Sequence, residues 1–311
     1  MSWTAVMFAN AVIHGTHVCR SLEPWEDGPL YLEKPDQYHS IFNKFVKKVR
    51  PTVNNFHWIS DSRTDPGLVR DHNEDAFIDR SDIGLWAVAD GMGGHSAGDV
   101  ASNAIIERLS GIEDKASLSE FITSVEAALL EVNAHLRELG QRPIRRTVGS
   151  TVVALILKGD YGVALWAGDS RLYRFRAGAL EQVSQDHAFV EDLVERGYID
   201  RRDAADHPQA NLVTRAVGAV DDLKLDVEIV ELEVNDVFIL CSDGLDKEVP
   251  ETDIATIVDK HLRGGLDAAL SEELVELALS RGARDNVTVT SVQITANALG
   301  SNNALGSNTD A

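Results

Sequence analysis

From about Trp58 to Thr295 the chain alternates apolar stretches of two periods. "IGLWAVAD" (83–90) is an apolar run of strand length. "VASNAIIERL" (100–109) has helical spacing. Ser117 and Glu120 form a capping box, S-x-x-E, in which each could satisfy a free amide of the first turn. The helix it opens repeats Phe121, Val125, Leu129, Val132, Leu136 and Leu139 at the 3.6 period, and Gly140 closes it. Strand candidates follow at "GSTVVALILK" (149–158), "YGVALWA" (161–167) and "RLYRFR" (171–176), with hairpin turns at Lys158-Gly159-Asp160 and Ala177-Gly178. Residues 187–217 are polar, with short helical pieces. "LDVEIVELE" and "DVFILCS" read as strands, 266–281 as a helix, and "NVTVTSVQIT" (286–295) as a strand rich in β-branched residues. Tight turns between consecutive strands predict antiparallel pairing, and helices set between strand blocks predict an α+β layered domain over 58–295.

Two segments lie outside this pattern. Residues 1–57 carry prolines, scattered aromatics and mixed charge without a period, and are expected to be an ordered arm, a disordered tail, or sequence upstream of the true start. Residues 296–311 hold "NALGSN" twice in tandem and are expected to be disordered.

Composition narrows the function classes. The 311 residues are 44% hydrophobic, enough for a core that needs neither disulfide nor structural metal. With 29 basic against 50 acidic residues the net charge is −21, which repels nucleic-acid backbones and anionic lipid surfaces. Cys19 and Cys241 are the two cysteines, distant and without a CxxC, as in a reducing compartment. The start lacks a basic n-region, and no apolar run approaches the ~20 residues of a membrane span. A soluble, cytoplasmic monomer is expected, binding neither nucleic acid nor membrane.

The chemistry begins at "VADGMGGHSAGD" (88–99). Strand, glycine turn and helix is the order of a phosphate cradle. No lysine occurs there, however, and the third position of G-x-G-x-x-G counted from Gly91 is Ser96, so neither nucleotide motif is met. What remains is Asp90 at the end of an apolar strand. Similar acids recur: Glu74 and Asp75 in "VRDHNEDAF", Asp169 in "WAGDSRLY", Asp243 in "FILCSDGL" and Asp285 in "GARDNVTV". One such aspartate is ordinarily a turn or cap residue. In five separated segments an acid stands at a strand end. Gathered carboxylates need cations to stay ionised, and oxygen donors favour Mg²⁺ or Mn²⁺ over zinc. "HGTHVC" (His14, His17, Cys19) lacks a fourth zinc ligand nearby. Two ions bridged by a carboxylate can activate water against a phosphoryl group, and the planar guanidinium of Arg70 suits its outer oxygens.

These residues resemble a known family. "RDHNEDAF", "VADGMGGHSAGDVAS", "GSTVVALIL", "WAGDSRLYRFRAG", "QVSQDHAFVEDLVERG", "HPQANLVTRAVG", "DVFILCSDGL" and "ARDNVTVTSVQI" resemble, in order, the bacterial metal-dependent Ser/Thr protein phosphatases of the PPM (type 2C) family. They span roughly 60–295. The resemblance implies a four-layer αββα sandwich of two antiparallel sheets flanked by helices, with a flap near 186–220 beside a metal cleft. It implies Asp90 as the ligand bridging two ions, Asp243 and Asp285 as further ligands of the first, and Glu74 with the Gly91 carbonyl as those of the second. Asp75 corresponds to an acceptor for a coordinated water, and Arg70 to the phosphate clamp. Asp169, with Asp243, corresponds to the ligands of a third, weaker ion. Animal-type members carry a histidine where Met92 stands, proposed to protonate the leaving alkoxide. Here that proton is expected from a water on the third ion, with His95 and His187 as other candidates. The expected function is hydrolysis of phosphoserine and phosphothreonine in proteins, opposing bacterial Ser/Thr kinases. The alternative is an inactive phosphatase-like binding or sensor module, which would have lost a ligand.

Overall fold

A computed structural model describes residues 56–93, 97–140, 148–204, 206–264 and 269–296. The expected arm lies outside these residues except for Phe56 and His57, which open the first strand; the repeat-bearing tail, except for Ala296, and His95 also lie outside them. The strands are β1 (Phe56–Asp65), β2 (Asp75–Arg80), β3 (Leu85–Met92), β4 (Gly149–Ser150), β5 (Val152–Lys158), β6 (Tyr161–Ala167), β7 (Arg171–Arg176), β8 (Ala179–Gln182), β9 (Asp226–Glu231), β10 (Val237–Cys241) and β11 (Val287–Ala296). The helices are α1 (Ala97–Ser110), α2 (Leu118–Gly140), α3 (Phe189–Glu195), α4 (Arg201–Ala204), α5 (Asp243–Asp246), α6 (Glu251–Gly264) and α7 (Leu270–Ser280). The serine half of the capping box forms at the entry to α2, where the Glu120 amide donates to Ser117 Oγ at 3.2 Å. β1, β2, α5, α6 and the short β8 stand where the sequence pattern named no strand or helix.

The strands form two antiparallel sheets, ordered β1-β11-β10-β7-β8 and β2-β3-β5-β6-β9, with β4 on β3. The expected layering is observed: α1 and α2 pack on the second sheet, α6 and α7 on the first. Period two explains why the inner strands read as unbroken apolar runs. On β10, Phe238 and Leu240 join Trp86, Val88, Val153, Leu155 and Val292 in the core between the sheets. The alternate residues Val237, Ile239 and Cys241 join Ile254, Val258, Leu274 and Val275 in the core under α6 and α7. At roughly 25 cal/mol per Å², these two cores are the main stabilising term, and their loss would unfold the sandwich before the site.

Antiparallel register brings the chemistry-bearing termini to one end. Asp75, opening β2, is directly opposite Asp90 near the close of β3. Val152 faces Ala167, so the chain leaves β6 into Gly168 and Asp169 at that same end. Cys241 faces both Val289 and Arg171, which puts Ser242 and Asp243 beside the start of β11.

Candidate metal centre

Asp90 is fixed from both sides of its peptide. Its amide donates to Thr151 Oγ1 at 3.1 Å, and its carbonyl accepts from the Thr151 amide at 2.8 Å and from Ser150 Oγ at 2.9 Å. Thr151 Oγ1 lies 2.6 Å from Ser170 Oγ, so one hydroxyl pair joins the Asp90 strand to the turn carrying Asp169. That turn needs Gly168, whose φ is +121° and where a Cβ would meet the Thr151 side chain at 2.5 Å.

Asp75 ties the two sheets together. Its Oδ2 accepts from Ser242 Oγ and Thr288 Oγ1, each at 2.7 Å, while its buried Oδ1 has no hydrogen-bond partner among the described residues. Burial raises the Asp75 carboxyl to about 7, opposed by those two hydroxyls and aided by the charges of Asp243 and Asp285. Asp169 is raised to about 7 as well, by burial and then by Asp243. Asp90 is mostly enclosed by protein, with only part of its surface exposed. Its carboxyl is pushed well up, first by burial and then by Asp75, Asp243, Asp169 and Asp285. Burial and neighbouring acid charges thus disfavour the ionised forms of Asp75, Asp90 and Asp169 together.

A second set of oxygens converges beside α1. A Cβ built on Gly98 would come within 2.7 Å of the Glu74 carboxyl carbon and of the Gly91 carbonyl oxygen. Only a residue without a side chain leaves that space to the two oxygen groups. The Glu74 segment is held by Asn286, which accepts from the Glu74 amide at 2.8 Å and donates to the Pro66 and His72 carbonyls at 2.9 Å. Asp243 is half-buried, with Oδ1 unpartnered among the described residues and Oδ2 paired to Lys247. Asp285 accepts from Arg70 Nη2 at 2.8 Å.

The structure thus brings Arg70, Glu74, Asp75, Asp90, Gly91, Asp169, Asp243 and Asp285 to one end of the sandwich. Among the described residues no three acid, imidazole or thiol groups are already drawn together as a ligand cluster. Arg70 and Lys247 neutralise two of the acids in the meantime. The donor set nevertheless fits hard divalent cations: all oxygens, several of them buried, two unpartnered and mutually repelling. His187 is a structural residue. Its Nδ1 accepts from the Gly168 amide at 3.1 Å, its Nε2 lies 3.1 Å from Asp226, and its ring stacks on Trp166. The accepting Nδ1 places its proton on Nε2.

The sequence reading did not single out Gly98, Thr151, Ser242, Lys247, Thr288 or Asn286. Ser242 and Asn286 each adjoin a singled-out aspartate in sequence; the others are recognisable only once the strands are in register. A second buried network lies behind Asp243. Arg171 Nη2 is 2.7 Å from Asp186 and Nη1 3.0 Å from Asp246, whose carboxyl burial raises to about 8.

A cleft of ≈ 840 Å³ is lined by Arg70, Asp169, Asp243 and Asp285 together with residues between 186 and 211, Glu191 and Asn211 among them. The far wall has a small core of its own, Ala188, Val190 and Ala204 against Val194, Ile199 and Ala210.

Comparison with known proteins bears on the family and the fold. The family model for Protein phosphatase 2C matches residues 69–278. The serine/threonine phosphatase stp of Listeria monocytogenes is 36% identical over 242 residues, 74% of this chain and 94% of that protein. The structure of PppA, a regulatory component of T6SS in Pseudomonas aeruginosa, superposes with a TM-score of 0.70 at 40% identity, covering 77% of this chain and all of that one. The catalytic domain of the serine/threonine protein phosphatase PstP in complex with two manganese ions gives a TM-score of 0.69 at 32% identity, covering 78% of this chain and all of that one.

Proposed function

The chain belongs to the protein phosphatase 2C family, and from that premise we propose that Asp90 is the shared ligand of two Mg²⁺ or Mn²⁺ ions at which phosphoserine and phosphothreonine in proteins are hydrolysed. Asp243 and Asp285 complete the first ion's protein ligands, and Glu74 and the Gly91 carbonyl those of the second. The observation that carries the reading is the convergence of Glu74 and Gly91 over Gly98, next to the mutually repelling Asp75, Asp90, Asp169 and Asp243.

Bound there, the ions would neutralise the phosphoryl oxygens and acidify the attacking water. The chain's own residues do the rest. Arg70 is half-exposed at the cleft and presents a planar fork to the phosphate; on binding it exchanges Asp285 for the substrate. Asp75 uses one oxygen to bind two hydroxyls and keeps the other as an acceptor that orients water. Thr151 and Ser150 hold the Asp90 backbone so that its carboxylate does not turn away. Met92 has no proton to give to a leaving alkoxide. The flap beside the cleft selects the protein substrate, and the opposing enzymes are Ser/Thr kinases of a bacterial signalling system. An inactive binding module is disfavoured because every ligand position holds an oxygen donor.

The test is release of phosphate from phosphothreonine and phosphoserine peptides with Mn²⁺ and with excess EDTA. Turnover that needs the ion is expected, and turnover that survives EDTA would refute the reading.

A further inference from the structure

Lys247 is a cation placed beside the acid cluster by the same turn that carries Asp243. The four-residue step from Asp243 to Lys247 spans α5, and the Lys247 amide closes on the Asp243 carbonyl at 3.1 Å. Its ammonium donates to Asp243 Oδ2. The side chain is two-thirds covered, and its charge also reaches Asp169, whose carboxyl it holds down against burial and Asp243. Asp285 lies within its field too. The ammonium therefore pairs with Asp243 and lines the same cleft as Asp169, the two acids that the family resemblance gives to a third, weaker ion.

A lysine and a divalent cation compete for such a place. The lysine brings one charge and no dissociation, because its stem is anchored four residues from the ligand it pairs. A divalent ion brings two charges, but must displace the ammonium and then sit beside it. At separations of a few ångström in a partly buried site that repulsion weakens the ion's binding about tenfold or more.

We propose that Lys247 is a built-in cation that takes the place of a third metal ion between Asp243 and Asp169, so that this phosphatase works with two bound ions and a tethered ammonium. The inference rests on the two-ion reading above and adds to it. Lys247 acts here as a positioning residue: it fixes Asp243 and neutralises Asp169 without touching the phosphate.

The experiment is Mn²⁺ titration calorimetry on the full chain, wild type beside Lys247→Met and Lys247→Arg, with phosphopeptide turnover followed against Mn²⁺ concentration on the same samples. Wild type is expected to bind two ions and to reach full rate once those two sites fill. Lys247→Met keeps the stem and removes the charge. It should bind a third ion about tenfold or more tighter than wild type does, and its rate should keep climbing as that site fills. Lys247→Arg should restore the two-ion behaviour. Three ions bound by wild type as tightly as by Lys247→Met would overturn the role of Lys247 and leave the two-ion centre standing. Fewer than two ions bound by wild type would overturn the centre itself and this inference with it. Thermal melts of the metal-free proteins report whether each variant is folded. If Lys247→Met is unfolded, Lys247→Gln replaces it in the same titration.

Discussion

Replacing Gly98 by alanine puts one methyl group where Glu74 and the Gly91 carbonyl converge. The new carbon would lie 2.7 Å from both, inside any normal contact, so either α1 shifts or the oxygens part. Overpacking of this kind costs roughly 1–3 kcal/mol. Gly98 is in the first turn of α1, where alanine returns up to about 1 kcal/mol of helix propensity. The net loss of stability is therefore about 0–3 kcal/mol, a fall of at most roughly 12 °C in the melting temperature for a domain of this size. The metal site feels the change much more, because its two oxygens must be held within a few tenths of an ångström. Displaced supporting groups typically cost 10–100-fold in metal affinity, and here the displaced groups are ligands, so about 100-fold is expected for one of the two ions. Mn²⁺ calorimetry beside thermal melts separates the effects. Gly111→Ala is the control, since its methyl would find its nearest neighbour, the Arg108 carbonyl oxygen, at 3.7 Å. Two ions bound by Gly98→Ala with wild-type affinity would refute the assignment of Glu74 and Gly91 to a shared ion.

Two further outcomes follow from the same geometry. Asp75 and Asp169 have folded pKa values of about 7 against an ordinary 3.8, so the folded state holds more protons than the unfolded one between those values. Their contribution is whole below pH ~4 and is lost as pH rises to about 7, at about 1.4 kcal/mol per unit for each group, on the order of 5 kcal/mol between pH 5 and 7 for the two together. The metal-free protein should melt lower at pH 7 than at pH 5, Mn²⁺ should raise the melting point more at pH 7, and Asp75→Asn should flatten the slope; a metal-free melting point that rises over that window in wild type and variant alike would contradict the cluster. Arg70→Lys keeps the charge but loses the fork, and KM for a phosphothreonine peptide should rise about tenfold with Mn²⁺ stoichiometry unchanged; an unchanged KM would remove Arg70 from the phosphate.

The legible part of the molecule was what periodicity and strand-end chemistry record. The long helix read off Ser117, Glu120 and the heptad-like row from Phe121 to Leu139 runs as α2, and the acids at five strand ends meet because antiparallel register sends those ends to one side. α6 escaped because only Ile254, Ile257 and Val258 are buried along its fourteen residues, too short a stripe among polar neighbours to stand out. Ser242, Thr151 and Thr288 escaped for another reason. A serine beside an aspartate or a threonine in a β-branched strand is ordinary in sequence, and its role depends on which sheet it faces across the core. Gly98 is a similar case: nothing in "SAGD" tells a helix-starting glycine from one that leaves room for two oxygens. Lys247 was legible as a charge but not as a partner, since the i,i+4 relation to Asp243 matters only when α5 turns both side chains into the cleft.

The most direct test of the account is the Asp90→Asn variant, which keeps shape and hydrogen bonding and removes the charge that two ions share. Mn²⁺ binding to the full chain would be counted by calorimetry, and phosphothreonine hydrolysis measured on the same preparation. The account predicts two ions and metal-dependent turnover for wild type, and for Asp90→Asn the loss of paired binding together with turnover, in a protein that still melts cooperatively. Two ions bound at wild-type affinity with turnover intact would contradict it.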